Sequence, residues 1–477
     1  MQRPLISPET FFSDQPLFGD DGLLNDAGLQ QNSELLAKEF EWLKGLFDAR
    51  EKEYSENNFI MQPLDSIGIP ALTDEKGPFT HLAHKLKLEL AERVLLLLTL
   101  ETHYQPLFIR ERISKYNAEN KELFFALGYY QDPFSNNFYP TLQTLLFLCC
   151  GKNPAAWRKC EQEVIHHGKL LKEQILTLRD PDERSRIGNR NTYIIDLAPE
   201  YVEYLLHGQK PRPDFGRAFP AKWVTTNLDW EHLVLNNLTK AEISDVMDWV
   251  EYGSEVLSRS DNKINKSFPC LFYGPPGTGK SFTAKLIGKK YGKDVFRIDL
   301  SMIVSKYIGE TEKNLAQLFD RADGKDWILF FDEADSLFGK RTGISDSKDK
   351  WANLEMSYLL QRMEEFEGLC ILATNLKHNL DPAMTRRFQS LIYFPWPKPD
   401  ERALIWEKSL PPGFAYPLTI SYEKLSRYDF SGAGIANIIK ASCVKAAKRG
   451  DYILNTEDIS RFIRIEYAKD NRTPNTK

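Results

Sequence analysis

The segment "GPPGTGKS" (274–281) limits the fold of this chain more strongly than any other stretch. It follows the apolar run "CLFY" and precedes a helical pattern, so it joins a buried strand to a helix. Glycines there let backbone N–H groups turn toward phosphate oxygens, and the helix N-terminus adds a favourable dipole. A glycine- and proline-rich turn without a ligand is the simpler alternative. The pattern predicts phosphate binding by Gly274, Pro275, Pro276, Gly277, Thr278, Gly279, Lys280 and Ser281, with Phe282 next in the binding segment.

Within this loop the charged and hydroxyl side chains have distinct expected tasks. Lys280 would reach the β- and γ-phosphates of a nucleotide, and the Ser281 hydroxyl would bind Mg²⁺. Short apolar runs alternate with helical patterns on both sides of the loop, including "VFRIDL", "WILFFDEAD", "LCILATN" and "SLIYF". Such alternation predicts an α/β fold with a parallel sheet covered by helices on both faces.

Two further strand ends carry polar side chains. In "ILFFDEAD" (328–335), Asp332 would bind the Mg²⁺ shell and Glu333 would polarise the attacking water. In "ILATN" (371–375), Asn375 would lie near the γ-phosphate and orient that water. Acids that merely solvate a strand end, and an ordinary turn asparagine, are the alternatives for each motif taken alone.

Arg386 and Arg387 follow "LDPAMT" and form a second candidate group. As arginine fingers they would have to reach a γ-phosphate bound by a neighbouring subunit, which requires a closed head-to-tail ring. Two solvated surface arginines are the alternative.

The 477 residues exceed one ordinary domain. We expect an N-terminal helical extension (1–60), a mostly helical domain for a substrate or partner (61–205), a linker rich in proline, glycine and basic residues (206–228), a nucleotide-binding α/β domain (229–396) and a smaller helical region (397–477).

Bulk properties narrow the class of protein further. Net charge is −5 and the pI is near 6.0, so no global basic surface indicates nucleic acid or an anionic membrane. The apolar run "VLLLLTL" (94–100) is too short to span a bilayer and predicts a buried helix, and the N-terminus lacks the apolar core of a signal peptide. Six cysteines without a CxxC pair favour a reduced cytoplasmic compartment with no zinc site.

Five motifs in order, "GPPGTGKS", "ILFFDEADSLFGKR", "ATN", "LDPA…RRF" and "SGAGIANI", make the chain from about Trp230 to its end resemble the AAA clade of AAA+ ATPases. The resemblance implies ATP and Mg²⁺ as ligands, a helical lid over 397–477, and a homo-oligomeric ring, usually a hexamer. It places the Gly432–Ala433 backbone beside the adenine. Gly434 stands where several other AAA+ clades carry an arginine.

"RIDLSMIVSKYIGETEKNL" (297–315) and "SYLLQRMEEFEG" (357–368), among other stretches, are more narrowly similar to bacterial AAA+ ATPases encoded with phage-tail-like contractile injection systems. That resemblance implies a winged-helix-like N-terminal domain. It also implies a protein partner, such as a sheath, tube, baseplate or cargo protein.

The family also implies that a loop after the second strand lines a central pore. Here that loop comprises Lys306, Tyr307, Ile308 and Gly309. A tyrosine packed on its own domain is the alternative. Gly309 would allow a bend into the next helix, and Thr311 would cap that helix with Asn314 at its third position.

The leading hypothesis is therefore an ATP-hydrolysing ring that remodels, unfolds or disassembles a protein substrate. An ATP-driven nucleic-acid motor is the alternative, supported by the winged-helix-like resemblance and the basic segment "GQKPRP" (208–213) and opposed by the net acidity. A scaffold that binds ATP without turnover is a third reading, which the intact Asp332–Glu333 pair opposes.

Overall fold

The computed structural model describes residues 26–56, 68–72, 77–104, 106–133, 137–180, 192–209, 211–213, 215–216, 219–259, 266–303, 309–336, 347–375, 382–417 and 420–469. The chain divides into two compact units, 1–213 and 214–477.

The first unit is mostly helical, as predicted. Its elements are α1 (Asp26–Ser55), α2 (Pro78–Leu86), α3 (Leu90–Tyr104), α4 (Pro106–Glu119), α5 (Lys121–Leu127), β1 (Tyr130–Gln131), β2 (Phe138–Tyr139), α6 (Leu142–Cys150), α7 (Pro154–Glu161), a π-helix (Gln162–His166), α8 (Lys169–Lys172), β3 (Leu176–Arg179), β4 (Ile194–Leu197) and α9 (Pro199–His207). The strands form two small antiparallel pairs, β1 with β2 and β3 with β4.

Helix α3 is the centre of this unit. Its run from Val94 to Leu98 is fully buried, and α1, α4 and α6 pack around it. A helix that is apolar on all sides must be covered on all sides, so "VLLLLTL" is a core helix, as predicted. Among the described residues, no helix combines the length and apolarity needed to cross a membrane.

The second unit contains β5 (Ala221–Val224), a 3₁₀ turn (Trp230–His232), α10 (Asn237–Arg259), β6 (Phe268–Tyr273), α11 (Lys280–Tyr291), β7 (Asp294–Asp299), α12 (Leu300–Ile303), α13 (Glu310–Ala322), β8 (Trp327–Asp332), a second 3₁₀ turn (Ala334–Ser336), α14 (Ser347–Glu365), β9 (Leu369–Thr374), α15 (Pro382–Thr385), β10 (Ser390–Tyr393), α16 (Pro399–Lys408), α17 (Tyr422–Ser426), α18 (Gly432–Arg449) and α19 (Thr456–Lys469).

A six-stranded sheet organises this unit in the order β10-β6-β9-β8-β7-β5. The first five strands are parallel, and helices cover both faces through two separate apolar cores. The predicted α/β fold is thereby confirmed. Helices α16 to α19 enclose a third core around Trp406, Phe430 and Ile435.

Strand β5 differs from the sequence-based expectation, because it lies inside the segment 206–228 that was predicted to be a linker. It pairs antiparallel with β7 at the edge of the sheet, and the Trp223 Nε1–H donates to Asp294 at 2.9 Å. Its four residues are too few to show a period of alternation after a proline- and glycine-rich stretch.

The predicted cap of α13 is wrong. Gly309 occupies the N-cap position with φ +82°, which favours glycine, and no side chain caps the helix there. Thr311 is 1% exposed and lies inside the helix, while the Asn314 amide donates to the Ile303 carbonyl at 3.2 Å. Because the helix begins at Glu310, Thr311 is its second residue and cannot be its cap.

Glu101, in the last turn of α3, is a buried acid. It is 1% exposed, and neither carboxyl oxygen has a hydrogen-bond partner among the described residues. Burial raises its pKa to about 8 from 4.5, and the nearby Ile109 backbone and Lys44 oppose this only in part. The folded chain therefore holds a proton that the unfolded chain releases between these values, so stability falls as the pH rises through this window.

We expect Glu101→Gln to stabilise the protein at pH 8 by about 1–3 kcal/mol more than at pH 5, because the amide has no charge to bury. Thermal unfolding of wild type and variant at both pH values measures this difference. Glu111→Gln, on the exposed side of the neighbouring helix α4, is the matched control. Equal effects of Glu101→Gln at both pH values would contradict the assignment.

Candidate active site

The predicted phosphate-binding loop leaves β6 at the carboxyl edge of the sheet and enters α11. Gly274 has φ +142°, and a Cβ there would lie 2.2 Å from the Phe394 carbonyl oxygen. Gly277 has φ +75°, and its Cβ would lie 2.6 Å from the Ser431 hydroxyl. Both positions therefore require glycine for conformation and for space. Thr278 Oγ1 donates to the Pro275 carbonyl at 2.9 Å and closes the turn.

The remaining loop residues surround this turn. Pro276 is exposed, whereas Phe282 is half-buried in the first turn of α11. Gly279 is the N-cap of α11, with φ +105°. A Cβ on Gly279 would lie 3.1 Å from the Leu233 side chain, so Leu233 also borders the loop. Sequence reasoning missed Leu233, because nothing local marks it.

Lys280 is 8% exposed, and its ammonium group is surrounded by oxygens. Nζ donates to the carbonyls of Gly274 at 2.7 Å and Pro275 at 2.8 Å, and to Asn375 Oδ1 at 2.9 Å. Burial lowers the pKa of Lys280 to about 8, against the opposing effect of Asp332 and Asp335. The ammonium group of Lys280 therefore finds its hydrogen-bond acceptors in its own loop and at the end of β9.

Ser281 and Asp332, the two residues predicted to bind Mg²⁺, contact each other. The Ser281 hydroxyl donates to Asp332 Oδ2 at 3.2 Å, and Arg297 Nε lies 3.2 Å from the same oxygen. Arg297 is half-exposed on β7 and was not predicted; its only signal is a charge at the solvent-facing position of a strand.

These oxygen donors fit a hard cation such as Mg²⁺. Among the described residues, no group of three or more His, Cys, Asp or Glu side chains could hold a metal ion. A cation at Ser281 and Asp332 would therefore need ligands from phosphates and water, which is the usual situation for Mg²⁺.

Glu333 follows Asp332 directly and is exposed. Its φ of +53° lies in the left-handed region, and its N–H donates to Asp332 Oδ1 at 3.1 Å. A non-glycine residue there costs on the order of 1 kcal/mol, and such strain is concentrated at functional sites. The bend separates the two carboxylates: Asp332 faces the loop, and Glu333 faces solvent.

Asn375 follows β9 and is tied to Asp335, which lies in the 3₁₀ turn after β8. Asp335 Oδ1 accepts from the Asn375 N–H at 2.9 Å and from the Thr374 hydroxyl, and Oδ2 accepts from Asn375 Nδ2 at 2.9 Å. Sequence reasoning missed Asp335. Its only signal is an acid three residues after Asp332.

The helical end of the unit meets the loop at α18. The Ala433 N–H donates to the Gly277 carbonyl at 3.2 Å, and the Ser431 hydroxyl caps α18 by accepting from the Gly434 N–H at 3.2 Å. Gly432 is close to the same carbonyl. The predicted adenine-side residues Gly432 and Ala433 therefore border the phosphate loop.

Arg386 and Arg387 lie away from the phosphate loop and from the carboxyl ends of β8 and β9. They precede β10, at the amino edge of the sheet, where the Gln389 N–H donates to the Pro269 carbonyl at 2.8 Å. Arg387 lies 3.6 Å from Glu364, and both arginines are exposed. The loop begins at the opposite end of β6, roughly 20 Å away at the rise of a strand.

Of the predicted pore loop, only Gly309 lies within the described residues. Lys306, Tyr307 and Ile308 lie outside them.

Comparison with known proteins adds the family. The family model described as "ATPase family associated with various cellular activities (AAA)" matches residues 270–396. Peroxisomal ATPase PEX6 of Komagataella pastoris is 31% identical over 277 residues, which is 55% of this chain and 23% of that protein.

Two shorter relatives show the same level of identity. Vacuolar protein sorting-associated protein 4 of Dictyostelium discoideum is 32% identical over 185 residues, or 37% of this chain and 41% of that protein. Vacuolar protein sorting-associated protein 4B of Pongo abelii is 33% identical over 187 residues, which is 38% of this chain and 42% of that protein. The chain thus spans less than half the length of these curated relatives.

The matched range contains the phosphate loop, most of β6 and the other four parallel strands, including the ends of β8 and β9 that carry Asp332 and precede Asn375. A domain of this family implies ATP binding, which agrees with the buried lysine and the helix N-terminus of α11. Residues 270–396 therefore form an ATPase domain of the AAA family.

Proposed function

We propose that this chain hydrolyses ATP at the carboxyl edge of the sheet and uses that energy, as a homo-oligomeric ring, to remodel a protein. The observation that carries the proposal is a pair of hydrogen bonds between the phosphate loop and two strand ends: Lys280 Nζ donates to Asn375 Oδ1 at 2.9 Å, and the Ser281 hydroxyl donates to Asp332 Oδ2 at 3.2 Å. Lys280 and Ser281 lie in the first turn of α11, Asp332 ends β8, and Asn375 directly follows β9.

Each side chain then has a defined task. Lys280 would exchange its carbonyl and amide partners for phosphate oxygens, which are stronger acceptors because they are charged. Ser281 and Asp332 would hold Mg²⁺, which would neutralise phosphate charge. Glu333, exposed beside them, would accept the proton of the attacking water.

The arginine pair supports a shared site. Since Arg386 and Arg387 lie at the opposite edge of the sheet, they cannot serve the nucleotide of their own subunit without a large rearrangement. In a head-to-tail ring, one of these guanidinium groups would stabilise charge on the γ-phosphate bound by the neighbour. A hexamer is the ring size that the family resemblance implies.

For the substrate we propose a polypeptide gripped by Tyr307 in a loop between Lys306 and Gly309. Relatives of this chain include a peroxisomal ATPase and a vacuolar protein sorting-associated protein. The narrower sequence resemblance supports a sheath, tube, baseplate or cargo protein of a contractile injection system as the partner, chosen by the helical first unit. The reducing cytoplasm is the compartment that we propose.

We expect Glu333→Gln to keep ATP binding but to lower kcat by about 10²- to 10⁴-fold, because the amide cannot accept the proton of water. Steady-state phosphate release and binding of a fluorescent ATP analogue measure the two effects. Lys280→Ala is the control, and it should weaken binding itself by about 10- to 100-fold. Retained turnover in Glu333→Gln would mean that another group is the base.

Mixing two inactive variants tests the ring. In a mixture of Arg386→Ala (or Arg387→Ala) with Glu333→Gln, some interfaces combine an intact Glu333 with an intact finger. We expect activity to return to roughly a quarter of the wild-type value for random head-to-tail mixing.

Mixing Lys280→Ala with Glu333→Gln is the matched control, because both residues belong to the site of one chain and no mixing can restore it. Absence of recovery in the arginine mixtures, with mixed rings verified by differently tagged subunits, would contradict a shared site.

Tyr307→Ala should leave basal ATP turnover within about 2-fold of wild type and abolish unfolding of a protein substrate, since an aromatic face grips side chains of many kinds. Stimulation of ATPase activity by an unfolded protein and by DNA, in parallel titrations, measures the substrate class. Salt-sensitive stimulation by DNA alone would favour the nucleic-acid motor instead.

A further inference from the structure

A chain of three groups, Asp335, Asn375 and Lys280, crosses the candidate site. Asn375 Nδ2 donates to Asp335 Oδ2 at 2.9 Å, and Lys280 Nζ donates to Asn375 Oδ1 at 2.9 Å. The asparagine amide thus bridges a carboxylate and an ammonium group.

This arrangement gives the Asn375 amide only one favourable orientation. If it were rotated by half a turn, its carbonyl oxygen would face the Asp335 carboxylate and its NH₂ group would face the Lys280 ammonium. Two acceptors would then face each other at Asp335 and two donors would face each other at Lys280, and both charge-assisted hydrogen bonds would be lost. The assignment of oxygen and nitrogen is therefore fixed by the neighbours.

Several contacts hold Asp335 in place. It lies in the 3₁₀ turn (Ala334–Ser336) immediately after β8, beside the end of the adjacent strand β9. Its carboxylate accepts from the Thr374 hydroxyl and from the Asn375 N–H at 2.9 Å, besides the Asn375 side chain. Asp335 therefore holds the backbone and the side chain of Asn375 at the same time.

We propose that Asp335 is a positioning residue that fixes the polarity of Asn375, so that Asn375 presents a hydrogen-bond acceptor, and not a donor, to the nucleotide site. This inference rests on the proposed ATP hydrolysis. When phosphates draw Lys280 away, Asn375 Oδ1 accepts a hydrogen bond from the attacking water and orients one of its lone pairs toward the γ-phosphate. The amide NH₂ stays on Asp335 and does not contact the phosphate.

Two substitutions at one position separate polarity from structural support. Asp335→Asn retains the shape but places an NH₂ group against Asn375 Nδ2, which drives the Asn375 amide to turn over and present its own NH₂ group to the site. Asp335→Ala removes the partner and leaves Asn375 able to adopt either orientation.

We expect kcat to fall by about 100-fold in Asp335→Asn and by about 10-fold in Asp335→Ala, with the affinity for ATP within about 3-fold of wild type in both. The melting temperature should fall more in Asp335→Ala than in Asp335→Asn, because the isosteric amide keeps the hydrogen bonds to Thr374 and to the Asn375 backbone. If the alanine variant is the slower one, Asp335 only supports the fold and the proposal fails.

A double-mutant cycle with Asn375→Ala tests whether Asp335 acts through Asn375. On that background Asp335→Asn should change kcat by less than about 3-fold, because no amide is left to orient. A full additional loss would overturn the proposal. Asp294→Asn is the control for folding, since the Asp294 carboxylate accepts a hydrogen bond from the Trp223 indole at the amino end of β7, away from the candidate site.

Wild-type turnover is measured first, so that the two failures are distinguishable. A wild-type protein that binds ATP without hydrolysing it overturns the proposed function. A wild-type protein that hydrolyses ATP, with Asp335→Asn equally active, overturns only the assignment of Asp335.

Discussion

The buried ammonium group of Lys280 is the constraint on which the site depends. A charged group that is 8% exposed must be compensated, and the compensation comes from two loop carbonyls and one amide oxygen. Those partners tie the turn after β6 to the end of β9, so the loop is wrapped around its own lysine. The left-handed glycines of the loop allow that wrapping, because side chains at Gly274 and Gly277 would collide with Phe394 and Ser431.

The order of strands gives this lysine its neighbours. Strand β9 lies between β6 and β8 although it comes after both in the chain, and it therefore brings Asn375 between the loop and Asp332. Parallel strands end at one edge of a sheet, and ligands of such folds bind there. The same topology sends the segment before β10 to the other edge, which is why Arg386 and Arg387 are separated from the cluster.

Each predicted motif could be found from sequence because it is local: either a glycine-rich loop between an apolar run and a helix, or an apolar run that ends in a polar residue. Lys280 and Ser281 belong to the first pattern and Asp332 and Asn375 to the second, and the structure pairs Lys280 with Asn375 and Ser281 with Asp332. Asp335 and Arg297 follow neither pattern. The roles of these two depend on which strands are neighbours, and no spacing in the sequence records that.

Two other features differ from the expectation based on the sequence. Strand β5 exists because it pairs with β7, which is distant in the sequence. Its four residues show no strand pattern by themselves, and for that reason the segment was predicted to be a linker. Thr311 has the chemistry of a helix cap, yet it is buried within the first turn of α13, and Gly309 takes the N-cap position with a positive φ that favours glycine.

The contact between the loop and α18 connects the chemistry to movement in the proposed ring. The Gly277 carbonyl accepts from the Ala433 N–H, and a Cβ on Gly277 would strike Ser431, which caps the same helix. If the path of the loop changed at Gly277, the start of α18 would have to shift with it or this bond would break. Because α18 shares one apolar core with α16, α17 and α19, it cannot move alone. Helices α16 to α19 would then move together. In the proposed ring, the hydrogen bond at Gly277 would transmit a change at the nucleotide to these helices.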